Sequence, residues 1–61
     1  MKAMLTYKEA AKVLGVPVGT LYSWVHLKKV PHVRLSSRFV RFDADRLQEW
    51  MAAQTVEVNR R

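Results

Sequence analysis

The stretch from Thr6 to Lys29 constrains the fold of this chain more than any other part of the sequence. Gly15 lies in its middle and is free to adopt the positive φ at which many helices end. Pro17 follows, and it suits the first turn of a new helix because its φ is already fixed and its missing N–H costs nothing there. The stretch therefore predicts two short helices joined by a tight turn.

The first helix is expected over residues 7–14. Thr6 and Glu9 have the spacing of a capping box, in which each side chain accepts a hydrogen bond from the other residue's backbone N–H. Leu5 precedes the cap and ends a short lead-in that can pack back against the helix. Four residues are expected on one buried face because they recur at helical spacing: Tyr7, Ala10, Val13 and Leu14.

The second helix is expected to start near Val18 and to end around Lys28 or Lys29. Its apolar face is predicted to contain Val18, Leu21, Trp24 and Val25. The opposite, outward face contains Gly19, Tyr22, Ser23 and His26. Two helices around a short turn with Gly form the helix-turn-helix pattern, whose second helix enters the DNA major groove.

A two-stranded β-hairpin is predicted after this pair of helices. Pro31 ends the second helix, since the residue before a proline is pushed toward extended conformations. Apolar and polar residues then alternate on either side of Ser36 and Ser37. We expect one side of the hairpin to carry Val33, Leu35, Val40 and Phe42, and the other side to carry Arg34 and Arg41.

A third helix is predicted to follow the hairpin directly. Asp43 caps its positive end, and Leu47, Trp50 and Met51 recur at helical spacing to close the core. Residues 1–53 are therefore expected to form one domain that is mainly α with a two-stranded β-hairpin. Residues 54–61 are expected to be a flexible or partner-binding C-terminal tail.

Composition and charge narrow the class of partner. The 61 residues suffice for one small domain, and the absence of Cys excludes disulfides and thiolate metal sites. The net charge is +6, and the five cations between Lys28 and Arg41 have no acidic residue among them. Such a cluster favours a polyanion such as nucleic acid. No secretory signal or apolar run of about 20 residues occurs, so a cytoplasmic, DNA-associated bacterial protein is expected.

The sequence also resembles a known family. Ala11, Gly15, Leu21 and Trp24 match the spacing of helix-turn-helix proteins, and the run from Leu5 to Met51 resembles small excisionase-type, MerR-like winged helix-turn-helix domains. The resemblance implies a three-helix core with the hairpin as a wing that follows the DNA backbone or enters the adjacent minor groove. The family often carries Arg or Lys at the position of Ser23, so this chain departs from the family where a guanine contact would be made.

The resemblance also implies a role. Excisionases of this type, also called recombination directionality factors, bind side by side near a recombination site, bend DNA and help an integrase excise a mobile element. The expected partners are double-stranded DNA, an integrase and further copies of the protein. A transcriptional regulator of a phage or mobile element is the alternative, although no dimerisation element is visible after Ala53. A protein-interaction module that uses the tail or the Tyr22 face is a third reading.

Two groups of residues are expected to contact DNA. The recognition-helix group offers backbone amides for a phosphate and side chains for base edges; it comprises Val18, Gly19, Thr20, Tyr22, Ser23 and His26. The phosphate and wing group has Arg38 at the hairpin tip, where a narrow minor groove attracts a guanidinium; it comprises Lys28, Lys29, Arg34, Ser36, Ser37, Arg38 and Arg41.

Catalysis is not expected from this sequence. His26 and His32 are predicted on different elements, and no further His or Cys completes a zinc site. Ser36, His32 and Asp43 could be written as a triad, but a hairpin tip has no buried pocket or oxyanion hole. No metal, cofactor or small-molecule ligand is therefore predicted.

Overall fold

The computed structural model describes residues 4–56, which form three helices and three short strands. In chain order these are β1 (Met4–Leu5), α1 (Tyr7–Leu14), α2 (Val18–His26), β2 (Val33–Arg34), β3 (Val40–Asp43) and α3 (Ala44–Gln54). The predicted class, three helices with a small antiparallel hairpin, is confirmed. α3 continues one residue past the expected boundary at Ala53, and most of the predicted tail, from residue 57 onward, lies outside the described residues.

Local hydrogen bonds fix both ends of α1 as predicted. The Thr6 hydroxyl accepts from the Glu9 amide at 3.2 Å, and the Glu9 carboxylate accepts from the Thr6 amide at 3.0 Å. Gly15 follows the helix with φ 72°, and its amide donates to the Ala11 carbonyl at 2.8 Å. This left-handed residue turns the chain out of α1 and toward α2.

The buried face of α1 contains Ala11, where the sequence predicted Val13. Ala10 and Ala11 are buried, whereas Val13 is 46% exposed, so its predicted place in the core is wrong. At 3.6 residues per turn, Val13 lies about 120° around the helix from Tyr7 and about 100° from Leu14, whereas Ala11 lies about 40° from Tyr7 and about 60° from Leu14. The small Ala pair occupies the face that α2 and β3 cover.

α2 ends earlier than predicted. His26 is its last residue, and Lys28 adopts a left-handed conformation with φ 58°. The Lys28 amide donates to the Val25 carbonyl at 3.0 Å, and the Lys29 amide donates to the Trp24 carbonyl at 2.8 Å. These two bonds form a Schellman-type end, so a left-handed turn terminates the helix before Pro31 can.

The sheet contains a strand that the sequence did not reveal. β1 pairs antiparallel with β3, which places Leu5 opposite Phe42, and β2 pairs with the other edge of β3. The strand order is β1-β3-β2. Met4 and Leu5 are therefore part of the sheet and not only a lead-in, and Leu5 packs against the core.

The register of the hairpin also corrects its predicted faces. Val33 lies opposite Arg41, and Arg34 lies opposite Val40. Because cross-strand partners share a face, Arg34 lies on the inner face with Val40, whereas Arg41 lies on the outer face with Val33. The prediction that both arginines share one side is wrong.

The core lies between the helices and the inner face of the sheet. Its largest fully buried side chains are Phe42, Leu21 and Leu47. Trp24 and Trp50 pack against this core with their ring centroids 6.0 Å apart, but both remain partly exposed. The expected contact of the indoles with the core is confirmed, although neither is fully enclosed.

Asp43 joins the sheet to α3. It is the last residue of β3, and its carboxylate accepts from the amides of Asp45 at 2.9 Å and Arg46 at 3.3 Å. The predicted cap is therefore confirmed. Leu47 lies one turn further along and is buried, which fixes α3 against the hairpin.

Candidate nucleic-acid interface

The outward face of α2 is exposed, as its helical spacing predicts. Gly19, Tyr22, Ser23 and His26 are all exposed, whereas Thr20 is partly buried. Val18, which the sequence placed both in the apolar face and in the contact group, is partly buried and packs against the core. The surface of α2 that can meet a partner is therefore narrow.

The N-terminus of α2 is open to an anion. Pro17 occupies the cap position and has no side-chain acceptor. The Thr20 amide donates to the Pro17 carbonyl at 3.1 Å, and the amides of Val18 and Gly19 before it are left for water or a bound group. A Cβ added to Gly19 would meet nothing within 4 Å. A phosphate backbone can therefore approach this turn without displacing protein atoms.

Three aromatic rings connect this surface to the core. The Tyr22 ring stacks on Tyr7, with centroids 4.2 Å apart and an angle of 26° between planes. Tyr7 in turn meets Phe42 edge-on at 5.4 Å. Burial raises the pKa of Tyr7 above its ordinary value of 10.0, Tyr22 raises it further, and the positive charge of Arg34 lowers it. The Tyr7 hydroxyl therefore stays neutral at physiological pH, and the Tyr22 ring is held by its stacking on Tyr7 although it is exposed.

The hairpin tip is held by a serine hydroxyl. The Leu35 amide donates to the Phe39 carbonyl at 2.8 Å, and the Ser36 Oγ accepts from the amides of Arg38 and Phe39, both at 3.3 Å. The hydroxyl thus stabilises a turn that lacks the Gly or Asn usual in tight hairpins. Arg38 and Ser37 are exposed at the end of this ordered tip.

The two remaining hairpin arginines are placed differently. Arg34 is exposed and lies near enough to Tyr7 to lower its pKa. The Arg41 guanidinium lies 5.7 Å from the centroid of the Phe39 ring, and its Nη1 donates to the Val40 carbonyl at 2.9 Å. Arg41 is therefore partly engaged within the hairpin, whereas Arg34 and Arg38 extend into solvent.

Positive charge is concentrated in the segment that follows α2. Lys28 and Lys29 are exposed directly after α2 and precede the hairpin arginines. No Asp or Glu occurs between Glu9 and Asp43. α2, the turn after it and the hairpin therefore form a part of the chain without acidic residues, while Asp45 and Glu49 are exposed on α3.

The family follows from a comparison of the whole chain. A family model described as a helix-turn-helix domain matches residues 4–55, a span that includes all six elements. The chain belongs to this helix-turn-helix family. No curated protein and no solved structure matches it. Membership makes this a small DNA-binding domain with double-stranded DNA as its partner, and α2 occupies the place of the recognition helix.

A second surface of the helix-turn-helix domain lies away from the outward face of α2. Trp24 projects from the opposite side of α2 and meets Trp50 of α3. They contribute to an open groove of about 630 Å³ lined by Leu14, Trp24, Lys29, Trp50, Met51, Gln54 and Thr55. This groove is a second exposed surface with apolar side chains, separate from the Tyr22 face.

Two residues beside the outward face of α2 were not predicted to contribute to it. Tyr7 was assigned only to the core face of α1, but it also supports Tyr22. Leu27 follows α2 and is 63% exposed beside His26. No local pattern marks the contact between Tyr7 and Tyr22, because it depends on how α1 crosses α2. The exposure of Leu27 follows from the early end of α2.

Within residues 4–56, no group of three or more His, Cys, Asp or Glu side chains is arranged to hold a metal ion. None of the helices in that range is long and apolar enough to cross a membrane.

Proposed function

We propose that this helix-turn-helix protein binds specific sites on double-stranded DNA as an excisionase-like architectural factor. α2 lies in the major groove, and the β2–β3 hairpin contacts the neighbouring backbone or minor groove as a wing. The observation that carries the proposal is the continuity of the acid-free region, in which an exposed helix face with an open N-terminus is followed by exposed cations and an ordered basic hairpin.

Each part of this surface has its own role in the proposal. The first turn of α2, at Gly19 and Thr20, receives a phosphate because the amides that precede Thr20 and the helix dipole favour an anion. Tyr22, Ser23 and His26 face the base edges. The wing and the turn after α2 fix the register through the phosphates; these residues are Lys28, Lys29, Arg34, Ser36, Ser37, Arg38 and Arg41.

The serines and arginines of the wing differ in what they can contribute. The Ser36 oxygen already accepts two backbone amides, so its first effect is to hold the tip in shape. Arg38 extends from that tip and is the side chain best placed to enter a narrow minor groove. Arg41 lies against Phe39 and bonds to the backbone, so its contribution to binding is expected to be smaller.

The architectural role is supported by the resemblance to excisionase-type domains over Leu5–Met51. In this role the protein binds near a recombination site, bends the DNA and assists an integrase in excising a mobile element. A transcriptional regulator of a phage or mobile element would use the same DNA surface. Footprinting on the DNA that flanks the gene separates the two: phased multiple sites beside an attachment site support excision, and a single promoter site supports regulation.

The salt dependence of binding tests whether DNA is the partner at all. Five cations, Lys28, Lys29, Arg34, Arg38 and Arg41, predict a slope of about −4 to −5 in a plot of log K against log salt concentration. A gel-shift or fluorescence-anisotropy titration at several salt concentrations measures it. A nearly flat slope would contradict the proposal and favour a protein partner for the Trp24–Trp50 groove.

A comparison of variants tests the roles of the helix and the wing. Arg38→Ala should weaken binding to specific and scrambled duplexes by similar factors and reduce the salt slope by about one unit. Replacing both Tyr22 and Ser23 by Ala should bring specific binding toward the nonspecific level with nearly the same slope. If the two variants exchange these effects, the helix and the wing have been assigned the wrong roles.

Gly19→Ala provides a matched test of the phosphate contact. The added methyl group meets no protein atom, and Ala favours a helix by up to about 1 kcal/mol over Gly. The variant should therefore melt at a higher temperature and yet bind duplex more weakly, because the methyl group stands where the DNA backbone approaches. Unchanged or tighter binding would show that the DNA backbone does not approach Gly19.

A further inference from the structure

The recognition helix lacks the side chains that usually read bases. Bidentate contacts to guanine are made by Arg or Lys, and those to adenine by Asn or Gln. α2, from Val18 to His26, contains none of these four residue types. Its outward face instead offers an aromatic ring, a hydroxyl, an imidazole and, just past its end, the exposed Leu27. Among the groups that base pairs present in the major groove, the one suited to apolar side chains is the C5-methyl group of thymine.

Exposed apolar side chains line a shallow concave surface on this face. Tyr22 is 56% exposed and Leu27 is 63% exposed. Together with Ser23 and His26 they line an open concavity of about 450 Å³. A surface with two apolar side chains, a hydroxyl and an imidazole suits a methyl group that projects from a base edge carrying hydrogen-bonding atoms.

The Tyr22 wall of this concavity is held in place from within the protein. Tyr7 covers one face of the Tyr22 ring at 4.2 Å and itself meets Phe42, which is fully buried, at 5.4 Å. A ring that is already ordered loses little side-chain entropy when it meets a ligand. The exposed part of Tyr22 is therefore presented in one orientation.

We propose that the concavity formed by Tyr22, Ser23, His26 and Leu27 receives the C5-methyl group of a pyrimidine in the major groove, so that α2 selects its site by a thymine methyl contact. Tyr7 acts as a positioning residue because it holds Tyr22. This inference rests on the proposed DNA-binding function. 5-Methylcytosine presents the same methyl group, and the experiment distinguishes the two bases.

The test removes the methyl group and nothing else. In the footprinted site, each thymine is replaced in turn by deoxyuridine, and affinity is measured by anisotropy at fixed salt concentration. At one or two positions we expect the affinity to fall about fourfold, the effect of losing one buried methyl group. A duplex with 5-methylcytosine at such a position should bind about fourfold more tightly than one with cytosine. It should bind less tightly than the thymine duplex if the other atoms on the base edge also contribute.

Protein variants connect this effect to the concavity. Tyr22→Ser and Leu27→Ser change exposed positions and should bind the thymine and uracil duplexes equally. Tyr7→Leu, which removes the stacked ring, should also reduce the thymine preference, whereas Tyr7→Phe should retain it. Arg38→Ala is the control, since it should weaken binding to both duplexes and leave their ratio unchanged. Thermal melts establish that each variant is folded.

The outcomes separate the two levels of the proposal. Equal binding of thymine and uracil duplexes at every position, with the salt slope intact, would overturn the methyl contact and leave DNA binding standing. A thymine preference that survives in both Tyr22→Ser and Leu27→Ser would likewise overturn it. Absence of any salt-dependent duplex binding would overturn the proposed function and this inference together.

Discussion

Replacing Lys28 by Gly should stabilise the fold and weaken DNA binding at the same time. Lys28 is the one non-glycine residue with positive φ in the described part of the chain, at 58°. The left-handed conformation costs an L-residue roughly 1–2 kcal/mol, and glycine loses about 0.5–1 kcal/mol more in backbone entropy when it is ordered. The difference predicts a net stabilisation of about 0.5–1 kcal/mol, which raises the melting temperature of a domain of this size by roughly 2–8 °C.

Thermal and urea denaturation measure the first effect, with two matched controls. Lys28→Ala removes the same charge but keeps a Cβ in the left-handed turn, so it should give no such stabilisation. Lys29→Gly places glycine at the next position, where φ is not positive, and should destabilise the protein. If Lys28→Gly melts at or below the parent temperature, the left-handed conformation of Lys28 does not destabilise the protein, and the reasoning is wrong.

Duplex binding measures the second effect. Lys28→Gly and Lys28→Ala each remove one phosphate-neutralising charge, so both should reduce the salt slope by about 0.9. A reduced slope would explain why Lys occupies this left-handed position although Gly would be more stable there: its charge contacts DNA. Slopes equal to that of the parent would exclude Lys28 from the interface.

Three further predictions concern stability. Phe42→Ala should lower the free energy of unfolding by roughly 3–5 kcal/mol, since this ring is fully buried, and Trp50→Ala should cost less because its indole is partly exposed; equal losses in urea denaturation would contradict this order. Asp43→Ala should cost about 1 kcal/mol through the lost cap, and Asp43→Asn should retain most of it. Since the folded pKa of Tyr7 is raised, the unfolded chain loses this proton first, so stability should decline as pH rises above 10.0. Tyr7→Phe should make that alkaline decline shallower.

The features that could be predicted from the sequence are those that a few consecutive residues determine. The capping box at Thr6 and Glu9, the left-handed Gly15 and the cap at Asp43 each depend on neighbours within four positions. α1 accordingly begins and ends at the expected residues. The end of α2 was misplaced because Lys28 adopts a conformation that glycine or asparagine usually takes.

The features that could not be predicted depend on distant parts of the chain. β1 has two residues, and only its pairing with Phe42 and Asp43 makes it a strand. The faces of the hairpin depend on the length of its turn, because a three-residue tip from Ser36 to Arg38 places Leu35 opposite Phe39. A tip of another length would have changed which side chains share a face.

In the candidate site, too, local features could be predicted and contacts between distant residues could not. The exposure of Gly19, Tyr22, Ser23 and His26 follows from helical spacing alone, and the structure confirms it. The support of Tyr22 by Tyr7 required the crossing of two helices to be known. Contact of any of these side chains with DNA stays a prediction, to be decided by the experiments above.

The shared role of Asp43 restricts where this domain can tolerate insertions. Since one residue both ends β3 and caps α3, no linker absorbs a change in length there. A single inserted residue would rotate α3 by about 100° relative to the sheet and carry Leu47 away from the core. The hairpin tip is less restricted, because a longer turn there changes only the pairing of β2, whose two residues are exposed, and leaves the helices undisturbed. Related chains should therefore differ in wing length and keep the strand–helix junction invariant, so that the reach along DNA can evolve without any change to the core.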